Sequence, residues 1–177
     1  MVRSKILGLF LVLLSFSIVT VSAFVYETAQ QTVIQTVQEI ATITLQNSAL
    51  GNIEEGETKT YTKTGGGGDV ELATLGDVIS LTTGKASVYL HLDSDLDSLT
   101  DYSTYTITVK FSQVQGSTYS VGDIACTLTL VSPDYSSVDL DAVGAWKFDF
   151  ELTTTASPVD ADTPTTITIT VTAESTS

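Results

Sequence analysis

Few residues in this chain have the type and spacing that catalysis requires. There is one histidine, His91, and one cysteine, Cys126. A cysteine nucleophile needs a neighbouring base, and a protein zinc site needs several nitrogen or sulfur ligands. Cys126 lies in an apolar stretch, which favours a small buried core residue over a reactive thiol. No Gly-x-Ser-x-Gly motif of the serine hydrolases occurs. We therefore expect that the protein is not an enzyme and that it has no catalytic residue, no cofactor and no metal site.

Two short motifs partly match ligand-binding loops. Asp93, Asp95 and Asp97 have the alternate spacing of a calcium loop, but serine and threonine replace its glycine and its final glutamate. The sequence predicts an acidic loop, with weak calcium binding as the alternative. The four glycines at 65–68 precede Asp-Val-Glu rather than the Lys-Ser/Thr pair of a phosphate-binding loop. They indicate a hairpin tip or a flexible loop.

Composition and charge exclude several classes of protein. Hydrophobic residues make up 42% of the 177 residues and charged residues only 16%, which is not the composition of a disordered chain. Seven basic residues stand against 21 acidic ones, for a net charge of −14. Such a charge repels phosphate backbones and anionic membrane surfaces. We expect no nucleic-acid partner and a globular core of one domain's size.

The N-terminus has the features of an export signal. A short basic stretch at 1–5 is followed by an apolar run at 6–21 and then by Val-Ser-Ala. This pattern predicts a signal peptide at 1–23, cleaved between Ala23 and Phe24. The chain would then meet the membrane only before cleavage. The alternative is that 6–26 is retained, either as a membrane anchor or as the core helix of a pilin-like subunit.

The rest of the chain is dominated by period-two alternation of apolar and polar residues, interrupted by glycine, proline, serine and aspartate. This alternation predicts short β-strands joined by turns. In one of these strands His91 faces away from the apolar side chains. Eight or nine strands at this spacing predict an all-β, jelly-roll-like β-sandwich over 47–177. The predicted strands lie at 40–45, 58–64, 78–82, 88–92, 104–111, 124–130, 146–152 and 166–172.

The segment between the signal and the sandwich, 24–46, is a separate region. Its apolar residues are sparse, and over 24–37 their spacing fits a helix or a strand. The β-branched residues favour an extended strand. From Ile40 the alternation is that of a strand.

A family resemblance follows from the start of this region. The Ala23-Phe24 start, a leading strand and then the stretch LGNIEEGET at 50–58 resemble the opening of the TasA/camelysin-like filament proteins. More closely, the chain resembles archaeal bundling pilus subunits of the same jelly-roll fold. Metalloprotease activity has been ascribed to camelysins, but this sequence has no metal-ligand cluster and that activity is not carried over.

The resemblance implies a structural subunit of an extracellular pilus or biofilm fibre, secreted and placed at the cell surface. Its partners would be further copies of itself, and neighbouring filaments or cell surfaces that it bundles or adheres to. Assembly would occur by donor-strand complementation, in which an N-terminal segment completes the sandwich of the next subunit. The alternatives are a type IV pilin-like or archaellin-like subunit, a membrane-anchored surface module that binds, for example, sugar, and an exported hydrolase. The expected donor residues are Val33, Val37, Ala41, Ile43 and Leu45.

Overall fold

The computed structural model describes residues 41–116, 118–131, 135–158 and 164–175. These residues form ten β-strands and two single 3₁₀ turns, Ala73–Leu75 and Leu96–Ser98, and none of them lies in an α-helix. Within this part of the chain, no helix is long and apolar enough to cross a membrane. The strands are β1 Ala41–Leu45, β2 Thr58–Thr62, β3 Val70–Glu71, β4 Ile79–Thr83, β5 Val88–Ser94, β6 Tyr102–Gln113, β7 Ile124–Thr129, β8 Tyr135–Leu140, β9 Gly144–Ala156 and β10 Ile169–Ser175.

Seven strands form a large sheet around β9, the longest strand. One side of β9 pairs along its length with β6, which in turn pairs with β7. The other side pairs with two shorter strands in tandem, β4 near the start of β9 and β2 near its end. β1 continues the sheet beyond β4, and β3 continues it beyond β2. The large sheet is therefore five strands wide, in the order β1-β4-β9-β6-β7.

The other three strands form a small sheet in the order β10-β5-β8, and all its pairings are antiparallel. Its strands alternate strictly between the interior and solvent. Val88, Leu90 and Leu92 of β5 are fully buried, whereas Tyr89 is exposed. His91 shares the outward side of β5, as the sequence predicted.

The two inner faces enclose one hydrophobic core. The aromatic stripe of β9 lies at its centre: Trp146 and Phe148 are fully buried, and both rings contact that of Phe111 on β6. Cys126 also points into this core and is buried, as predicted. The all-β sandwich is thus confirmed. The jelly-roll connectivity and the N-terminal donor strand stay predictions.

Two local features differ from the expected strand pattern. The sequence did not predict β8, in which only Val138 and Leu140 are buried. β8 forms because it pairs along its length with β5. Regular alternation in the predicted strand at 124–130 would place Ile124 on the same face as Cys126, but Ile124 is 61% exposed. The register between β6 and β7 shifts at Val109, and the shift moves Ile124 out of the core pattern.

Candidate strand-binding groove

The small sheet is narrower than the large sheet it covers. On one side the sandwich is closed, because β7 at the edge of the large sheet contacts β8 at the edge of the small one. On the opposite side the small sheet ends at β10, while the large sheet continues for further strands. Among the described residues, no strand pairs with the outer edge of β10.

A groove of about 1490 Å³ lies beside this edge. Its floor is the inner face of the large sheet and includes Ile79 of β4, Ile107 of β6 and Leu152 of β9. One wall is β10 with the residues just before it, and the other is the connection between β1 and β2, residues 46–55. We call this cleft the acceptor groove.

Burial differs between the floor and the β10 wall of the acceptor groove. Ile79, Ile107 and Leu152 are each at most 5% exposed, so little more apolar area remains to be covered there. Ile167, Ile169 and Val171 point inward but are only half-buried. Filling the groove would therefore bury mainly the side chains of this wall and give the outer edge of β10 a partner strand, which it lacks among the described residues.

The free edge has a defined chemistry. In an antiparallel sheet, each edge strand presents backbone N–H and C=O groups outward at every second residue. Such an edge binds another extended chain by main-chain hydrogen bonds, and pockets beside it select alternate side chains. β10 has both elements: no described strand pairs with its outer edge, and a groove with an apolar floor adjoins it.

Three of the five expected donor residues lie in the sandwich of their own chain. Ala41, Ile43 and Leu45 belong to β1, which pairs with β4 from Ala41↔Thr83 to Leu45↔Ile79. Ala41 and Ile43 pack against the core, whereas Leu45 is 47% exposed and lines the acceptor groove. The other expected donor residues, Val33 and Val37, lie outside the described residues, as do the cleavage positions Ala23 and Phe24.

His91 and Cys126 lie on different sides of the small sheet. Cys126 is in the interior, where burial raises the pKa of its thiol to about 11, partly offset by a hydrogen bond with Ser136. The thiol therefore stays protonated at neutral pH and is a poor nucleophile. His91 lies on the outer face, where its ring centroid is 5.6 Å from that of Tyr135.

The three aspartates with calcium-loop spacing do not converge. The Asp95 carboxylate accepts the backbone N–H of Thr168 at 2.9 Å and so ties the β5 end to the segment before β10. Asp93 points out from β5, and Asp97 is exposed in the 3₁₀ turn that follows. Over the described ranges, no three His, Cys, Asp or Glu side chains are grouped as metal ligands.

Sequence reasoning located the strands of the acceptor groove but not the groove itself. The alternation at 166–172 predicted the strand that became β10. That β10 is an edge strand follows from long-range pairings, which no local pattern encodes. No protein-family model matches the chain, and no curated protein matches it in sequence.

Proposed function

We propose that this protein is the structural subunit of an extracellular filament, a pilus or biofilm matrix fibre, that assembles by donor-strand complementation. The observation that carries the proposal is the free edge of β10 beside the acceptor groove. A fourth strand added there would extend the small sheet over the large one. It would also convert an exposed edge, which is a general aggregation hazard, into a specific contact.

The donor in this proposal is residues 24–40 of the neighbouring subunit. A strand rises about 3.3 Å per residue, so this segment reaches about 55 Å when extended, more than twice the length of the seven-residue β10. It can therefore supply one strand and a linker. β1 anchors the C-terminal end of the donor segment, because its pairing with β4 holds Ala41–Leu45 in the subunit that donates the segment.

A donor from one subunit and an acceptor on the next form a head-to-tail contact. Such a contact uses two different surfaces, so it propagates into a fibre when the rotation between subunits does not close a ring. The predicted signal peptide supports export before assembly, and cleavage after Ala23 would free the donor segment. The role of the filament in this proposal is adhesion or bundling of cells.

The test separates the two halves of the contact. Deletion of 24–37 removes the donor, and Ile169→Asp places a charge in the acceptor groove. Each variant should stay folded by circular dichroism and remain monomeric, with no fibres in negative-stain micrographs. Thr172→Asp is the matched control, because it adds the same charge to β10 on the outer face of the sheet, opposite His91, and it should form fibres.

Mixing the two variants gives a more specific test of donor-strand exchange. The donor deletion keeps an intact acceptor, and Ile169→Asp keeps an intact donor, so together they should form dimers that do not grow. A synthetic 24–40 peptide should cap wild-type subunits and stop elongation. Fibres from either single variant would contradict the proposal. The mass of the purified subunit tests the pilin-like alternative, because a chain that starts at Phe24 has lost the apolar helix on which that alternative depends.

A further inference from the structure

The outer face of the small sheet carries nine side chains in three rows. The antiparallel registers place one residue from each of β10, β5 and β8 side by side in every row. Three of the nine are carboxylates, three are aromatic rings and three are hydroxyls, and none is Lys or Arg. The rows are Glu174-Tyr89-Asp139, Thr172-His91-Ser137 and Thr170-Asp93-Tyr135.

The carboxylates of this face have no bonding partner in the described part of the chain. Asp93, Asp139 and Glu174 make neither an ion pair nor a side-chain hydrogen bond there. The aromatic rings are likewise open to solvent: Tyr89 is 43% exposed and Tyr135 is 54% exposed. The face thus presents flat rings and unneutralised negative charge together.

The first row has the geometry of a guanidinium site. Tyr89 lies between Glu174 on one neighbouring strand and Asp139 on the other. Directly opposed residues of antiparallel strands have Cβ atoms about 5 Å apart, so both carboxylates flank the ring. A cation stacked on the ring would meet a carboxylate on each side, and arginine combines stacking with planar hydrogen bonding.

We propose that this face docks an arginine-bearing segment of another protein, with one guanidinium stacked on Tyr89 and paired with Glu174 and Asp139. The rings of Tyr135 and His91, beside Asp93, form a second contact for a following basic residue. Charge complementarity selects this occupant, because the face is uniformly negative and would repel an anionic polymer. The proposal does not depend on strand exchange, since it uses the outward side of the sheet and not its edge.

The test measures binding of fluorescent hexa-arginine to the full-length protein, with hexa-lysine and cellohexaose as comparison probes. Hexa-arginine should bind in a salt-sensitive way and more tightly than hexa-lysine. Tyr89→Ala should weaken this binding about tenfold, because it removes the ring on which the cation stacks. The Asp139→Asn/Glu174→Gln double variant should weaken it at least as much.

The control separates this site from the general acidity of the chain. Asp69→Asn/Glu71→Gln removes the same two charges from exposed positions in and beside β3, far from this face in the sheet order, and should change affinity less than twofold. Equal losses from the two double variants would overturn the proposal, as would tight binding of cellohexaose with none of hexa-arginine. Micrographs of each variant show whether fibres persist, so failure of docking is distinguished from failure of assembly.

Discussion

The two sheets of this sandwich differ in how far their strand edges and charged side chains are paired within the described residues. The large sheet pairs β9 with β6 on one side and with β4 and β2 on the other, and it carries three ion pairs on its outer face. Among the described residues, no strand pairs with the outer edge of β10 in the small sheet, and the carboxylates of its outer face have no bonding partner. The contrast teaches that both contacts proposed for this protein, at the acceptor groove and at the arginine-docking face, lie on the small sheet, where the described residues leave an edge and a face without partners.

The charge pattern shows the contrast most directly. On the outer face of the large sheet, Lys147 donates to Asp77 at 2.7 Å, Lys110 pairs with Glu151, and Lys63 pairs with Asp149. These three pairs use three of the five lysines that follow the predicted signal peptide. In a chain this poor in basic residues, placing them on one face leaves the other face acidic.

The largest effect should follow from truncating the core of the large sheet. Trp146 is fully buried, contacts the rings of Phe111 and Tyr119, and donates its indole N–H to the carbonyl of Ala142 at 3.2 Å. Trp146→Ala should lower the free energy of unfolding by about 3–5 kcal/mol, because it leaves a cavity in a packed core. Denaturant unfolding followed by circular dichroism measures this loss, and a loss below about 1 kcal/mol would contradict the packing described for this side chain.

Removing a buried hydroxyl should have the next largest effect on the free energy of unfolding. Thr83 is 1% exposed, donates to the carbonyl of Ala142 at 2.9 Å and accepts the N–H of Gly144 at 3.1 Å. Thr83→Val keeps the shape but leaves the Gly144 N–H without this acceptor and removes one of the two donors to the Ala142 carbonyl, so the free energy of unfolding should fall by about 1–3 kcal/mol. Thr82→Val on the exposed side of β4 is the control and should stay within about 0.5 kcal/mol of the wild type. Equal effects would show that the hydroxyl contributes nothing.

How far the sequence predicts this structure depends on the range of the interactions. The strand at 146–152 and the outward position of His91 follow from local alternation, and both are confirmed. β8 was missed because its sequence, YSSVDL, has only two apolar residues and forms a strand through its pairing with β5. Local composition cannot reveal a strand that a distant partner stabilises.

The acceptor groove and the outer face of the small sheet could not be predicted from the sequence for the same reason. The acceptor groove depends on β10 having one partner strand, β5, among the strands that the structure describes. The Glu174-Tyr89-Asp139 row joins residues that lie 35 to 85 positions apart along the chain and meet only through sheet register. The expected donor residues illustrate the same difficulty. The alternation at 41–45 predicts a strand, but it does not reveal that this strand pairs with β4 of its own chain.

A truncation in β10 should have a smaller effect on the isolated subunit than either change in the large sheet. Ile169 is half-buried, so Ile169→Ala removes only part of a full core contact and should cost about 1 kcal/mol. The same substitution should reduce fibre yield much more than it reduces subunit stability, because the inserted strand would complete the burial of this side chain. Parallel measurements of unfolding and of fibre mass test the difference. Proportional losses in the two would show that Ile169 serves the fold alone.

The smallest effects should come from neutralising one carboxylate on the outer face of each sheet. Hydrogen bonds from Lys147 and then Ser112 lower the pKa of Asp77 below its usual value. Because the folded pKa is depressed, this stabilisation is present above about pH 4, where the unfolded carboxylate is ionised, and is lost as pH falls through the folded pKa. Asp77→Asn should therefore lower the free energy of unfolding at pH 7 by less than about 1 kcal/mol, seen as a slightly lower melting temperature, and this deficit should shrink as pH falls through the folded pKa. Asparagine tolerates the positive φ of 50° at this position, so the change isolates the charge.

Asp93→Asn is the counterpart on the small sheet. Asp93 has no basic partner in the described residues, and its removal reduces the repulsion within a chain of net charge −14. At pH 7 this variant should melt at the same temperature as the wild type or slightly higher. Thermal scans from pH 2 to pH 7 on both variants measure the comparison. If Asp93→Asn were destabilised as much as Asp77→Asn, the carboxylates of the small sheet would be contributing to the fold, and a face kept for an external partner would no longer explain them.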